Sequence, residues 1–230
     1  MHIEPGIVDG TKIVLSYATA AGVFGYAARL AVNAVRQDGA AALTVRSLIA
    51  AFSVFCFFQV FPHYPVGVSE VHLILGSTLF LMFGAAPAAI GLALGLLTQG
   101  LFFAPWDLPQ YGMNVTTLLV PLFALSAMAR RYIPANTAYK DVKYSQCLAL
   151  STAYQGGVVA WVAFWAIYGQ GVGAANLAQV GTFGVAYMAV VLVEPLLDLG
   201  ILAAVKGMHR FRDSAVFQQR FRQVAVRAEG

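Results

Sequence analysis

The chain has 230 residues, 60% of them hydrophobic and 10% charged. Soluble domains carry about 25% charged residues, and a chain this short leaves a large share of its surface in solvent, so a soluble globular fold is excluded and a bilayer fits. The net charge of +4 does not indicate nucleic acid, because its positive residues fall in short loops and the C-terminal tail, where membrane topology accounts for them.

A helix needs about 20 mostly apolar residues to cross the hydrocarbon layer. Seven segments qualify: roughly 11–32, 43–61, 68–84, 87–104, 113–130, 145–168 and 178–206. The first apolar segment has no clear positive leader region and no convincing small-residue cleavage site, so no cleaved signal peptide is expected. The third and fourth segments form one apolar run broken by Gly84-Ala85-Ala86-Pro87. Gly plus Pro reads as a tight turn between two spans; one long kinked helix is the alternative. With seven spans, 13 of the 14 Lys and Arg residues fall on one side, leaving Lys12 with Glu4, Asp9, Glu70 and Asp107 on the other. The positive-inside rule then places the N-terminus outside and the C-terminus in the cytoplasm. The expected fold is an all-α integral membrane bundle of about seven transmembrane helices. Residues 1–206 form one transmembrane domain, with an N-terminal segment 1–10, and 207–230 form a basic cytoplasmic tail. Phe217, Phe221 and Val224 at helical spacing read as an interfacial helix, with a solvated tail as the alternative.

Met1-His2 opens the chain. A free α-amine titrates near neutrality and is a nitrogen ligand once deprotonated. His2 adds an imidazole and, on loss of its proton, an amide nitrogen. These three lie near one plane, and a fourth nitrogen completes a tetragonal site suited to Ni(II) or Cu(II). The bland reading is a frayed polar terminus. His72 is the candidate fourth ligand. It sits near the outer end of the third segment, and a histidine within a membrane segment is usually functional; a hydrogen-bonded histidine is the alternative. His63, in the loop Pro62-His63-Tyr64-Pro65, is a solvated or ion-guiding residue, and His209 lies among cytoplasmic basic residues. Cys56 and Cys147 are far apart and form no CxxC pattern, so neither a disulfide framework nor a thiolate site is expected.

Small residues four apart in the first segment, Ala18/Gly22 and Ala21/Gly25, permit close helix approach, either to a partner or within the bundle. Glu194 and Asp198 share a face of the last segment. Asp198 is expected near the cytoplasmic end, and contact with a partner or a basic loop is the preferred reading for the pair. No phosphate-binding loop motif occurs, so this chain is not expected to hydrolyse ATP.

These residues resemble a known family. Met1-His2-Ile3-Glu4-Pro5-Gly6, then Ser69-Glu70-Val71-His72-Leu73, Gly84, Gln99 and Gly112-Met113-Asn114 are similar to the CbiM/NikM family, the cobalt and nickel substrate-capture subunits of energy-coupling-factor ABC transporters. That family opens Met-His-Ile followed by Pro-Asp-Gly; this chain reads Glu4-Pro5-Gly6, and Phe103–Asp107 lacks the family's Gly-rich run. The resemblance implies a metal ion held by the Met1 amine, the His2 amide and imidazole, and His72. It implies supporting roles for Asn114, Gln99 and Ser69, and a partner interface at Ala18, Gly22, Ala21 and Gly25. The partners it implies are a coupling transmembrane subunit, ATPase subunits and a small accessory membrane subunit, in a bacterial inner membrane. No cofactor or enzymatic activity is expected; the cargo is Co²⁺ or Ni²⁺, bound more weakly at low pH. The alternatives are an intramembrane hydrolase using Ser69 or Ser151 with His72, and a haem-binding membrane protein.

Overall fold

In the computed structural model, residues 2–134 and 137–212 are described. Seven α-helices run through them: α1 (Ile13–Asp38), α2 (Ala40–Phe55), α3 (Gly76–Phe83), α4 (Ala85–Phe102), α5 (Tyr111–Tyr132), α6 (Tyr144–Gln170) and α7 (Ala174–Arg212). Six, all but α3, are long and apolar enough to cross a membrane. The protein is an all-α membrane bundle. Its helix boundaries follow local chemistry. Gly39 (φ 86°), Gly84 (φ 90°) and Gly171 (φ 77°) stand where α1, α3 and α6 end, positions at which a residue without Cβ adopts positive φ without strain. Helix α5 lies at the centre of the bundle and buries both of its faces. Helices α2 and α4 touch backbone to side chain, because a Cβ on Gly91 or Gly95 would run into Ala50, Ala51 or Val54. Such close approach is how membrane helices associate without a hydrophobic drive.

The third expected span, 68–84, is corrected. It is not one helix. A hairpin pairs β1 (Tyr64–Val66) with β2 (Ser69–Val71), antiparallel, closed by a two-residue turn that begins at Gly67 (φ 62°), the geometry such turns favour. Residues 72–75 continue without helix or ladder, and only then does the eight-residue α3 begin. His72 therefore sits in irregular chain just past β2, not in a helix. The break at Gly84 separates α3 from α4 as the Gly-Pro signal implied.

The four small residues of α1 proposed for close helix approach do not face the core of the bundle. Ala18, Ala21, Gly22 and Gly25 are all exposed, whereas Ser16, Ala20, Val23 and Ala27 face the core. Helix α7 continues past 206 to Arg212; the proposed interfacial stretch with Phe217, Phe221 and Val224 lies outside the described residues.

Candidate metal site

The N-terminal chain is built into the fold as a strand. Ile3 bridges Ser69 in antiparallel fashion. The Glu70 amide donates to the His2 carbonyl at 2.9 Å and the Glu4 amide donates to the Val68 carbonyl at 3.1 Å. Two side chains reinforce this: Ser69 Oγ donates to the His2 carbonyl at 2.7 Å, and Asn114 Oδ1, from the first turn of α5, accepts from the Ile3 amide at 2.8 Å. Further along, Gln170 Nε2 donates to the Gly6 carbonyl at 3.3 Å, Lys12 Nζ donates to the Gly169 carbonyl at 2.6 Å, and Gly169 lies directly against the Ile7 backbone. His2 is thus no frayed terminus; it is 3% exposed. Met1 lies outside the described residues.

The two expected histidines come together. The His2 and His72 rings are edge-to-face with centroids 5.7 Å apart, and His72 is 2% exposed. Phe58 stacks on the His72 ring at 4.6 Å and fixes its plane. His63 stands at the rim, its ring centroid 6.3 Å from that of His72 and its Nδ1 3.1 Å from the Phe61 carbonyl. Gln99 is buried but reaches the site indirectly, donating from Nε2 to the Phe58 carbonyl at 3.3 Å and so bracing the turn that carries the stacking ring.

Two carboxylates complete the cluster, and neither was singled out from the sequence as a site residue. His2 Nδ1 lies 2.7 Å from Glu70 Oε2 and 3.7 Å from Asp107 Oδ2, and the ligand atoms of these three residues lie within 4.8 Å of one another. The signal that could have found Glu70 was its place two residues before His72, on the strand that pairs with the N-terminus. Asp107 comes from the 3₁₀ turn Pro105–Gln110, far from both in sequence. Burial pushes the His2 imidazole down to about 4, against the opposing pull of Glu70, so the ring is neutral near pH 7. Burial alone would raise Glu70, but the hydrogen bond from His2 and the neighbouring positive charge together outweigh it and hold the carboxyl below its ordinary value. Nε2 of His2 is buried and has no hydrogen-bond partner among the described residues, and the ring's polar contacts to Glu70 and Asp107 run through Nδ1. A pair of imidazoles with carboxylates alongside is the chemistry of a divalent transition-metal site.

Glu194 and Asp198 are corrected as well. Both are fully buried, and among the described residues neither carboxylate pairs with a basic side chain. The Glu194 carboxylate accepts from the backbone amides of Ile74 and Leu75 and from Gln155 Nε2; Asp198 accepts from the hydroxyls of Ser77 and Thr78. They tie α7 to the third segment inside the bundle.

Fold and site define a class: a multi-pass helical membrane protein whose amino-terminal strand closes a buried histidine- and carboxylate-lined site. Within that class the chain belongs to the CbiM family, described as the cobalt uptake substrate-specific transmembrane region, whose model matches residues 2–212. Two solved structures share its fold. A transition metal transporter superposes with a TM-score of 0.68 at 16% identity, covering 100% of both chains. A truncated transition metal transporter gives 0.63 at 17% identity, covering 89% of this chain and 96% of the other. No curated individual sequence matches. The protein is a membrane component of metal-ion uptake, not an enzyme, and the metal is its cargo. The hydrolase and haem alternatives are set aside on that ground.

Proposed function

We propose that the protein captures Co²⁺ or Ni²⁺ for ATP-driven uptake, holding the ion with the Met1 amine, the His2 amide and Nδ1, and His72. The observation that carries this reading is the burial of His2 beside His72 by an N-terminal strand tied down at Ile3, Glu4 and the His2 carbonyl. A chelate through the His2 amide uses Nδ1, the nitrogen that faces Glu70 and Asp107. Their charge offsets that of the arriving dication. Asn114 and Ser69 orient the His2 peptide, and Gln99 acts through Phe58; partners of this kind set ligand geometry.

Seven crossings fit the architecture despite α3 being short. The non-helical residues 71–74 and the helical residues 76–83 together reach roughly 25 Å, most of the thickness of the hydrocarbon core. Non-helical backbone is tolerated at that depth only where protein satisfies it, and Glu194 does so here. This count puts the site at the outer end and Arg46, Arg130 and the C-terminal part of α7 inside. The exposed small-residue face of α1 is then open to the coupling subunit, with ATPase subunits beneath.

A second reading places the ion on the side chains of His2, Glu70 and Asp107. Calorimetric titration of Ni(II) and Co(II) into protein with its native start, and into protein extended by one residue before Met1, separates the two. Extension keeps every side chain but removes the terminal amine chelate. Affinity lost on extension supports the nitrogen site; equal affinity overturns it in favour of the side-chain site.

A further inference from the structure

We propose that Glu194 is a positioning residue for His72: from α7, its carboxylate grips the backbone amides two and three residues past the histidine and so sets where the imidazole stands. The proposal rests on reading His72 as an ion ligand. Residues 72–75 join β2 to α3 with no ladder and no helical turn of their own. Buried amides in such a stretch need partners, and at membrane depth water does not supply them. The Ile74 and Leu75 amides both donate to Glu194, the second at 3.0 Å. Among the described residues Leu75 is the one non-glycine with positive φ, at 52°, a conformation a leucine adopts only where the surroundings hold it.

Glu194 is itself held. Gln155 Nε2 from α6 donates to its carboxylate, and Tyr187 Oη donates to Gln155 Oε1 at 2.7 Å. All three side chains are fully buried. From a rigid α6–α7 scaffold the path to the ligand is short: carboxylate, Ile74 amide, Leu73, His72. A polar network of this depth, fully satisfied, fixes one geometry, and a metal site tolerates little displacement of a ligand. Asp198 lies one turn further along α7 and takes the Ser77 and Thr78 hydroxyls. It anchors α3 and does not touch the turn after His72.

Ni(II) titration and the d–d absorption of the loaded full-length protein test the assignment, because the band reports how many nitrogens lie in the plane. Wild type, His72→Ala, Glu194→Ala, Glu194→Gln and Asp198→Ala are compared, with thermal unfolding of each. Glu194→Ala is expected to weaken binding about 10–100-fold and to move the band to where His72→Ala puts it. Glu194→Gln keeps one oxygen acceptor and falls between. Asp198→Ala lowers thermal stability with the band in place. Folded Glu194 variants with the wild-type band and unchanged affinity overturn the proposal, as does an Asp198→Ala band shifted as far as that of Glu194→Ala. If Glu194→Ala does not fold, Glu194→Gln decides by the same criteria. A wild-type band that His72→Ala leaves unmoved refutes the ligand reading itself, and the positioning role with it.

Discussion

Asn114 shows how a single residue carries the site without touching the ion. Its Oδ1 accepts the Ile3 amide, one peptide beyond the proposed chelating nitrogen, and it is 1% exposed. Asn114→Ala leaves that buried amide without a partner, a loss of about 1–3 kcal/mol. Ni(II) affinity measured by calorimetry should fall about 10–100-fold while the helical circular dichroism is retained; an unchanged affinity would mean that the N-terminal strand is held adequately by Ser69 and the β2 ladder. His2, His72 and Asn114 were legible because resemblance named them and their residue types are rare in apolar sequence. Glu70 and Asp107 were counted only as charges on one side of the membrane. Nothing in their local sequence states that they converge on His2 Nδ1, since one lies 68 residues and the other 105 residues from it.

At the scale of elements, the third segment and the close of the N-terminal strand decide the geometry. Hydropathy reads 68–84 as a helix, since most of it is apolar. The signal against that reading is local: Gly67 between Tyr64-Pro65-Val66 and Ser69-Glu70-Val71 is a hairpin pattern, confirmed by the pairing of Tyr64 with Val71. A Cβ on Gly67 would also strike the Gln179 carbonyl, so the turn is fitted to α7 as well as to its own φ. Gly169, near the end of α6, plays the matching part for the N-terminus: its missing Cβ is the space filled by the Ile7 carbonyl. Gly169→Ala should push residues 6–8 off α6 and weaken metal binding about tenfold or more, with thermal stability lowered by no more than the about 1–3 kcal/mol usual for overpacking. Wild-type binding in Gly169→Ala would show that the strand from Ile3 to Glu4 suffices by itself.

For the whole molecule, the charge asymmetry of the loops and the alternation of helix ends predict one orientation. A cysteine at Tyr64, in the exposed hairpin beside the site, should react with a membrane-impermeant maleimide on intact cells. A cysteine at Lys140, between α5 and α6, should react only after permeabilisation; the opposite pattern would invert the topology. The helical membrane class, the break at Gly84 and the pairing of His2 with His72 could be read from the chain, because hydropathy, turn chemistry and rare ligand residues act locally or through resemblance. The non-helical course of residues 72–75, the carboxylates beside His2, and the burial of Glu194 and Asp198 against the third segment belong to the tertiary structure alone. A carboxylate's partner at membrane depth is whichever unpaired backbone amide or hydroxyl the packing brings within reach, and for Glu194 that amide is 120 residues away.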